Sequence, residues 1–577
     1  MTILGIKLTH DGALALIDNG RLVFSYEMEK LDNMPRHSHF CITMERIKEI
    51  LSGHGYDLKA IDQWVIDGWD TGHDENITTG HDEIQYDIAI PLDDNRKIKI
   101  DELAAYGHFV GKEENILLPS HFKVATHDLY YKSYQHVSGH LMSAYCTSPF
   151  PEKEESSFIL VWDGGMPPQL FYYNYQKNEV QNIGPLFFLA GYIYINFAHA
   201  FEPFCLSGKS LSIAGKAMAY VALGEVRAEI MEMFKKIFAS LNETVKKHEV
   251  NMEIVAILTG EFIREARNFC VSRKLDHRDM LATFQAFIQE LLVSNLEKKV
   301  KEHPELVNNF CFAGGSALNI KWNNAIRNSG IFRKMWVPPF PNDAGSAIGT
   351  ACCEMLMHDN RRKLRWDVYS GPLIEQAAFD DRRYAACTCT LEELAGILHE
   401  YNEPVVFLNG HAELGPRALG NRSILAAAVL PEMKTLLNKV KGRESYRPVA
   451  PICLEEDAAE IFDPGFPDPY MLYEHKVRED WKDKVPAICH LDGTARLQTV
   501  NREQNPHIYE LLQHYKKISN IPLLCNTSAN LNGKGFFPDV KTVTYWDNVN
   551  FIWNNGTLYF KKGSFHPEVL KKNMVLR

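Results

Sequence analysis

The sequence predicts an α/β protein of two domains, the first of them carrying an internal repeat. Three observations predict it. A strand followed by a hairpin occurs twice, at residues 3–27 and 157–175. Helical periodicity fills most of residues 223–307. Beyond a polar stretch at 358–367, short apolar strands alternate with helical pieces.

Residues 3–8 (ILGIKL) form an apolar run of strand length, and the runs 12–18 and 21–27 are joined by Asn19-Gly20. Asn-Gly between apolar runs signals a hairpin, because both residues tolerate positive φ. Residues 157–163 (SFILVWD) repeat the strand, Gly164-Gly165 and Pro167-Pro168 turn the chain, and residues 169–175 (QLFYYNY) form the next strand. Each unit carries an Asp-Gly, at Asp11-Gly12 and Asp163-Gly164. The carboxylate there can hold a metal and the glycine lets a ligand approach the backbone; the same dipeptide also simply turns a chain. The longest apolar stretch, 186–201, contains Asn196 and His199. It is shorter than the roughly 18–20 residues of a membrane span, so a buried helix is expected.

Residues 309–326 read as strand, Gly314-Gly315 turn and helix, an arrangement whose amides can bind a phosphate or nucleotide. Residues 335–351 repeat that logic, with Asp343-Ala344-Gly345 opening a helix of small residues. The stretch 358–367 (HDNRRKLRWD) is the candidate domain boundary, and 404–408, 447–454 and 520–526 are strands of the second domain.

The 577 residues include 62 Lys and Arg against 73 Asp and Glu, a net charge of −11. That argues against a general nucleic-acid binder, which displaces counterions with a basic stripe, but leaves room for a local cationic pocket. Apolar residues make up 45% and charged residues 23%, ordinary for a soluble globular protein. Twelve cysteines are scattered without any CxxC pair, so they read as reduced thiols of a cytoplasmic protein and not as a zinc site. The opening MTILGIK lacks a basic region followed by a long apolar segment and reads as a strand, not a signal peptide.

Three constellations could carry chemistry. His136 and His140, four apart, share one face of a helix and can ligate one divalent ion. Residue 137 is Val, so the zinc-protease HExxH pattern fails. Asp163 and Asp343 could add oxygens, and two His with two carboxylates suit iron(II) or another first-row divalent metal. The second constellation is a cationic series: Arg417, Arg422, Lys441, Arg443, Arg447 and Arg496. Guanidinium groups want fixed anions, either internal carboxylates or ligand phosphates, and so many in an acidic chain favour a phosphate pocket. The third is Asn526-Thr527-Ser528 at the end of an apolar strand, where side chains can hold a ligand or close an Asx turn. No G-x-S-x-G surrounds a serine, and GKS at 208–210 lacks P-loop spacing because position 203 is Pro.

These motifs together resemble a known family. LTHDGALALIDNGRLVF near the start, DGWD at 67–70, HVSGHLMSAYCTSPF, VWDGG, AGKAMAYVALG, FAGGSALN, VPPFPNDAGSAIG, GPRALGNRSIL, YRPVAPI and LLCNTSANLNG span nearly the whole chain. The sequence resembles the O-carbamoyltransferases of antibiotic and nodulation-factor biosynthesis, and most of all their nodulation protein U branch. The resemblance implies a duplicated actin/Hsp70-like (Kae1-like) domain over 1–360 and a YrdC-like α/β domain over 365–577. It implies that carbamoyl phosphate and ATP, with Mg, give carbamoyl-AMP in the second domain, and that the first passes the carbamoyl group to a hydroxyl. By family matching, Arg417, Lys441, Arg447, Arg496 and Asn526 line the adenylate site, Asn319 contacts nucleotide, and His10 is the general base. His136, His140, Asp163 and Asp343 are matched to the metal, expected to be Fe(II). The acceptor would be a natural product or sugar hydroxyl, with variation expected in the region 71–125; no nucleic acid or membrane partner is expected. Departures from the aminoglycoside branch occur at Ser445-Tyr446, where it has paired Trp, and at Gly533-Lys534-Gly535, where it has Gly-Glu-Pro. A threonylcarbamoyl-type tRNA enzyme and a non-catalytic ATP-binding protein on the same superfold are the competing readings.

Overall fold

The computed structural model describes residues 1–31, 33–69, 88–107, 115–124, 127, 129–206, 208, 210–245 and 251–565. Asp70 of the DGWD motif, Lys209 of GKS, much of the region 71–125 and residues 246–250 of the helical stretch lie outside the described residues. The chain divides into two compact units: Met1–Met28 with His37–Asp367, and Glu29–Arg36 with Val368–Arg577. The division after Asp367 falls at the end of the polar stretch, whereas the grouping of Glu29–Arg36 with the second unit has no signal in the composition.

In the first unit, strand β1 (Thr2–Lys7) is buried along its whole length, as a continuous apolar run requires. It pairs antiparallel with β2 (Ala13–Asp18), which pairs antiparallel with β3 (Arg21–Glu27). The turn between β2 and β3 has φ of 48° at Asn19 and 73° at Gly20, the two positive values of a type I′ hairpin. On its other edge β1 runs parallel to β4 (Gln63–Asp67). A small hairpin of β5 (Ala89–Pro91) and β6 (Lys97–Lys99) follows. With β7 (Ser120–Val124) and β8 (Leu129–Tyr134) the sheet order is β3-β2-β1-β4-β8-β7.

A second sheet is made by β9 (Ser157–Val161), β10 (Gln169–Asn174), β11 (Glu179–Pro185), β12 (Asn309–Ala313) and β13 (Lys334–Trp336), in the order β11-β10-β9-β12-β13. In both sheets an antiparallel meander of three strands continues, past its first strand, into parallel neighbours. The helices Ala228–Val245, Met252–Arg273 and His277–Lys301 fill the predicted helical stretch and pack around Phe234, Phe262, Phe284 and Phe287.

The apolar stretch 186–201 departs from expectation: only Ile193–His199 is helical. Its first half spends its backbone on the turn after β9 instead. Gly191 N–H donates to Met166 O, Tyr192 N–H to Gly164 O, and the Trp162 indole N–H to Leu189 O. Burial came out as predicted, but these contacts replace a helical ladder.

Two glycines position the helices of the site. A Cβ on Gly349 would lie 1.8 Å from the carbonyl oxygen of Gly139, so helices His136–Thr147 and Ser346–His358 meet backbone to backbone. A Cβ on Gly5 would lie 2.2 Å from Ala347 O, so the second helix also rests directly on β1. Side chains at those places would push the helices apart.

The second unit is a separate mixed sheet. Its strands are β14 (Tyr384–Thr388), β15 (Val405–Leu408), β16 (Arg422–Ala426), β17 (Ala450–Leu454), the short β18 (Phe462–Asp463), β19 (His475–Val477) and β20 (Thr494–Ala495), then β21 (Gln498–Val500), β22 (Leu523–Ser528), β23 (Phe551–Asn554) and β24 (Thr557–Lys561). The main sheet has the order β14-β24-β23-β15-β16-β22-β17-β21, and β18-β19-β20 form a small one. Val406, Ile424, Ile452, Leu524 and Ile552 contribute to one continuous apolar core. All twelve cysteines are free thiols. Among the described residues no helix is long and apolar enough to cross a membrane.

Candidate functional site

The first unit gathers His136, His140, Asp163 and Asp343, all buried, with one ligand atom from each lying within 4.8 Å of all the others. The histidines come from successive turns of helix His136–Thr147, and their Nε2 atoms stand 3.1 Å apart. Asp343 opens the short turn before helix Ser346–His358, and its Oδ1 lies 3.5 Å from His136 Nε2 and 3.4 Å from His140 Nε2. Asp163 follows β9, with Oδ2 at 3.9 and 3.8 Å from the same two nitrogens. Tyr106 donates to Asp163 Oδ2 at 2.6 Å and the Gly315 N–H donates to Oδ1 at 2.7 Å. The Gly314 N–H is taken by Pro341 O. Both amides of the Gly-Gly turn are therefore spent inside the protein and are not open to a phosphate.

Electrostatics agree with a cation site. Burial raises the Asp343 pKa, but Lys7, His136 and His10 outweigh it and hold the carboxyl well below its usual range. Burial and Asp343 likewise push Asp163 up, and hydrogen bonds from the two histidines bring it well below normal. Burial lowers the His136 pKa; Asp67 and Asp343 more than offset it and carry it well above 6.5. The protons held by these imidazoles are those a metal would displace. Two facing ring nitrogens and two carboxylates at coordination-edge distances fit a divalent first-row ion.

His10 is the accessible member of the neighbourhood, with 24% of its side chain exposed. Its Nε2 lies 3.5 Å from Asp343 Oδ2 and its Nδ1 3.2 Å from Asp11 Oδ2. Asp11 also holds His37 Nδ1 at 2.8 Å. Asn319 is placed differently from a free ligand-contacting amide. Its Oδ1 caps helix Ile320–Asn328 at Lys321 N and Trp322 N, and the amide pairs reciprocally with that of Gln285.

The second unit gathers positive charge. Burial and then Arg496, Arg36 and Arg447 push the Arg417 pKa well below its usual value. Burial, Arg443, Arg36 and Arg447 do the same to Lys441. Burial and neighbouring arginines push Arg443 down to about 9 and Arg496 to about 10. A guanidinium keeps its proton at physiological pH, so these depressions report burial and mutual repulsion that Glu444, beside Arg443 and Arg447, and Asp468, beside Arg496, offset only in part. The Nε atoms of Arg417 and Arg496, Arg443 Nη2 and Asn526 Oδ1 are buried without hydrogen-bond partners.

The cations differ in how far the protein already uses them. Arg422 is spent on the carbonyls of Asn409, Asn421, Gly410 and Pro372, so its guanidinium braces the surrounding backbone. Lys441 donates to Ser528 O and to both oxygens of Asn530. Asn526 Nδ2 is held by Ala418 O and Gln498 Oε1, which turns its amide within the strand and leaves only its oxygen available. Glu413, fully buried, shapes the loop that carries Arg417 by accepting the N–H groups of Leu419, Asn421 and Arg422 on one oxygen.

Sequence reasoning missed Asp67, Lys7 and Tyr106 at the first cluster, and Arg36 and Glu413 at the second. The Asp67 signal was present, since it heads the DGWD motif at the end of a strand. Arg36 had none, being more than 300 residues from its neighbours in the cluster.

A family model for the carbamoyltransferase N-terminus matches residues 2–352, and one for the carbamoyltransferase C-terminus matches residues 397–548. The chain belongs to the carbamoyltransferase family. In this carbamoyltransferase the four residues of the first cluster fall inside the N-terminal match, and Arg417, Lys441, Arg443, Arg447, Arg496 and Asn526 fall inside the C-terminal one. It is 43% identical over 578 residues to nodulation protein U of Rhizobium tropici, covering 97% of this chain and 96% of that protein. It is 29% identical over 547 residues to the 3'-hydroxymethylcephem-O-carbamoyltransferase of Amycolatopsis lactamdurans, covering 93% and 94%. Among solved structures, the activator of 2-hydroxyisocaproyl-CoA dehydratase from Clostridium difficile covers 61% of this chain and 93% of its own at 13% identity. Its TM-score against this carbamoyltransferase is 0.30.

Proposed function

We propose that the chain is an ATP-dependent O-carbamoyltransferase whose second unit makes carbamoyl adenylate and whose first unit passes the carbamoyl group to a hydroxyl. The observation that carries this reading is the group of buried, mutually repelling arginines, which calls for a polyanionic ligand. Water hydrolyses carbamoyl phosphate to carbamate and inorganic phosphate, and the carbamate oxygen then attacks the α-phosphorus of ATP and expels pyrophosphate. Arg417, Arg447 and Arg496 stabilise the charge that builds on the phosphoryl oxygens, with Arg36 and Arg443 beside them. Lys441 holds the strand end that carries Asn526, and the unpartnered Asn526 oxygen accepts from the nucleotide.

In the first unit His10 takes the proton of the acceptor hydroxyl as its oxygen attacks the carbamoyl carbon, and AMP leaves. A divalent metal, Fe(II) in this reading, held by His136, His140, Asp163 and Asp343, would act as a Lewis acid toward the carbamoyl or phosphoryl oxygen. Asn319 would reach a nucleotide by exchanging its Gln285 partner. The matching order of the two sheets supports a duplicated actin/Hsp70-like (Kae1-like) arrangement for 1–360, with a YrdC-like domain over 365–577. Likeness to nodulation protein U and to a cephem O-carbamoyltransferase supports a sugar or natural-product hydroxyl as acceptor, such as one on a lipo-chitooligosaccharide. Twelve free thiols support a cytoplasmic setting.

The test is incubation of the full chain with ATP, Mg, carbamoyl phosphate and iron(II). Carbamoyl-AMP and pyrophosphate are expected, and a hydroxylated acceptor should gain the mass of one carbamoyl group. No nucleotide turnover, with or without acceptor, overturns the proposal.

A further inference from the structure

One carboxylate at the first cluster is not a ligand candidate, yet it is the most enclosed of all. Asp67, at the end of β4, has a side chain with no exposure. Its Oδ2 lies 2.6 Å from His136 Nδ1 and accepts Lys7 Nζ at 2.9 Å, while its Oδ1 accepts the Thr350 hydroxyl at 3.1 Å. At such a distance Nδ1 donates, so once a metal displaces the other proton the neutral ring keeps its proton on Nδ1 and offers Nε2, the nitrogen that faces His140 and the two aspartates. Lys7 Nζ also reaches Asp343 Oδ2 at 3.0 Å, the oxygen opposite the one that faces the histidines. That leaves Asp343 Oδ1 for an ion.

Charge is the second strand of the case. Asp67, Asp163 and Asp343 are three enclosed carboxylates and Lys7 is one enclosed ammonium, a net charge of −2 with neutral imidazoles. Among the described residues the Tyr106 phenol and His10 also lie beside these aspartates, and this sum counts His10 with the neutral imidazoles. Uncompensated buried charge is costly, and one dication cancels this one.

We infer that Asp67 and Lys7 are positioning residues, Asp67 fixing the His136 proton on Nδ1 and the pair together setting the cluster's charge to match one divalent cation. The inference rests on reading His136, His140, Asp163 and Asp343 as metal ligands. Asp67→Asn keeps an acceptor for Nδ1 but takes the net charge to −1; Lys7→Met takes it to −3; the double variant returns it to −2.

The experiment strips the full chain with a chelator and titrates it with Co(II) alone, following the visible d–d bands. Asp67→Asn should bind about 10- to 100-fold more weakly than the unsubstituted chain, the usual cost of losing an outer-shell partner, with the bands unchanged in shape. Lys7→Met/Asp67→Asn should recover to within a few-fold of the unsubstituted chain, a coupling that a purely structural role would not produce. Should Asp67→Asn fail to fold, the double variant, which removes a buried pair together, carries the test by itself. Affinity in Asp67→Asn equal to that of the unsubstituted chain, or a double variant more than tenfold weaker than it, overturns the inference. Absence of Co(II) bands in the unsubstituted chain would instead remove the metal-site reading beneath it.

Discussion

His136 and His140 meet Nε2 to Nε2 at 3.1 Å, with two aspartates facing the same point. Two ring nitrogens at that distance repel unless a proton or a cation stands between them. Chelation of the metal-loaded chain should therefore lower its melting temperature, because a ligand at about 1,000 times its Kd contributes about 4 kcal/mol. His140→Ala should contain no metal by elemental analysis and show no chelator-dependent shift.

Arg417 and Arg422 lie five residues apart and should behave in opposite ways. Arg417→Ala relieves repulsion, so the ligand-free chain should melt no lower than the unsubstituted one, while pyrophosphate release falls about 100-fold or more. Arg422→Ala strips donors from the carbonyls of Asn409, Asn421, Gly410 and Pro372 and should cost about 3 kcal/mol. Urea midpoints of the two variants check the stabilities, and a pyrophosphate assay of Arg417→Ala checks the turnover.

Inorganic pyrophosphate should stabilise the chain by supplying the missing negative charge. In Arg36→Ala the concentration giving half of that thermal shift should rise about tenfold, since hydrogen bonds to charged groups are worth about 1.5–3 kcal/mol. An unchanged titration would remove Arg36 from the anion site.

His10→Ala should leave carbamoyl-AMP formation intact and lower carbamoyl transfer by about 100- to 10,000-fold, the range for loss of a general base. Equal loss of both steps, read by separate pyrophosphate and mass assays, would show that the two units do not divide the chemistry this way.

Asp11 supplies a pH dependence. Burial raises its pKa, but the His37 charge and hydrogen bonds from His10 and His37 bring it far below 3.8. A carboxyl depressed on folding contributes stability that is complete above its unfolded pKa of about 3.9 and is lost as pH falls toward the folded value. Asp11→Asn, tolerated at φ 53° because asparagine adopts that conformation, should flatten the decline in melting temperature below about pH 4. An acid limb as steep as in the unsubstituted chain would contradict the pairing.

What was readable in the sequence followed local physics. The Asn19-Gly20 turn, the strand at 157–161 and the HxxxH spacing depend on neighbours within a few residues, and those elements form as read. The stretch 186–201 is helical only over Ile193–His199, because hydrophobicity reports burial, not hydrogen bonding, and its first half bonds to a turn more than 20 residues away. Arg422 looked like Arg417 in composition, yet only the fold reveals the carbonyls that saturate it. Asp67 and Lys7 were invisible as a pair because β1 and β4 are brought together by sheet register, the two residues lying 60 positions apart.

The grouping of Glu29–Arg36 with the second unit bears on how such a chain is made and how it could have arisen. Lys30 leaves the ribosome 383 residues ahead of Glu413, whose carbonyl it will hold. The second unit thus completes its fold only with a segment synthesised near the start. A fragment beginning at residue 368 would lack Lys30 and Arg36, so the two halves cannot be exchanged between genes as simple cassettes; recombination would have to carry both stretches of coding sequence at once.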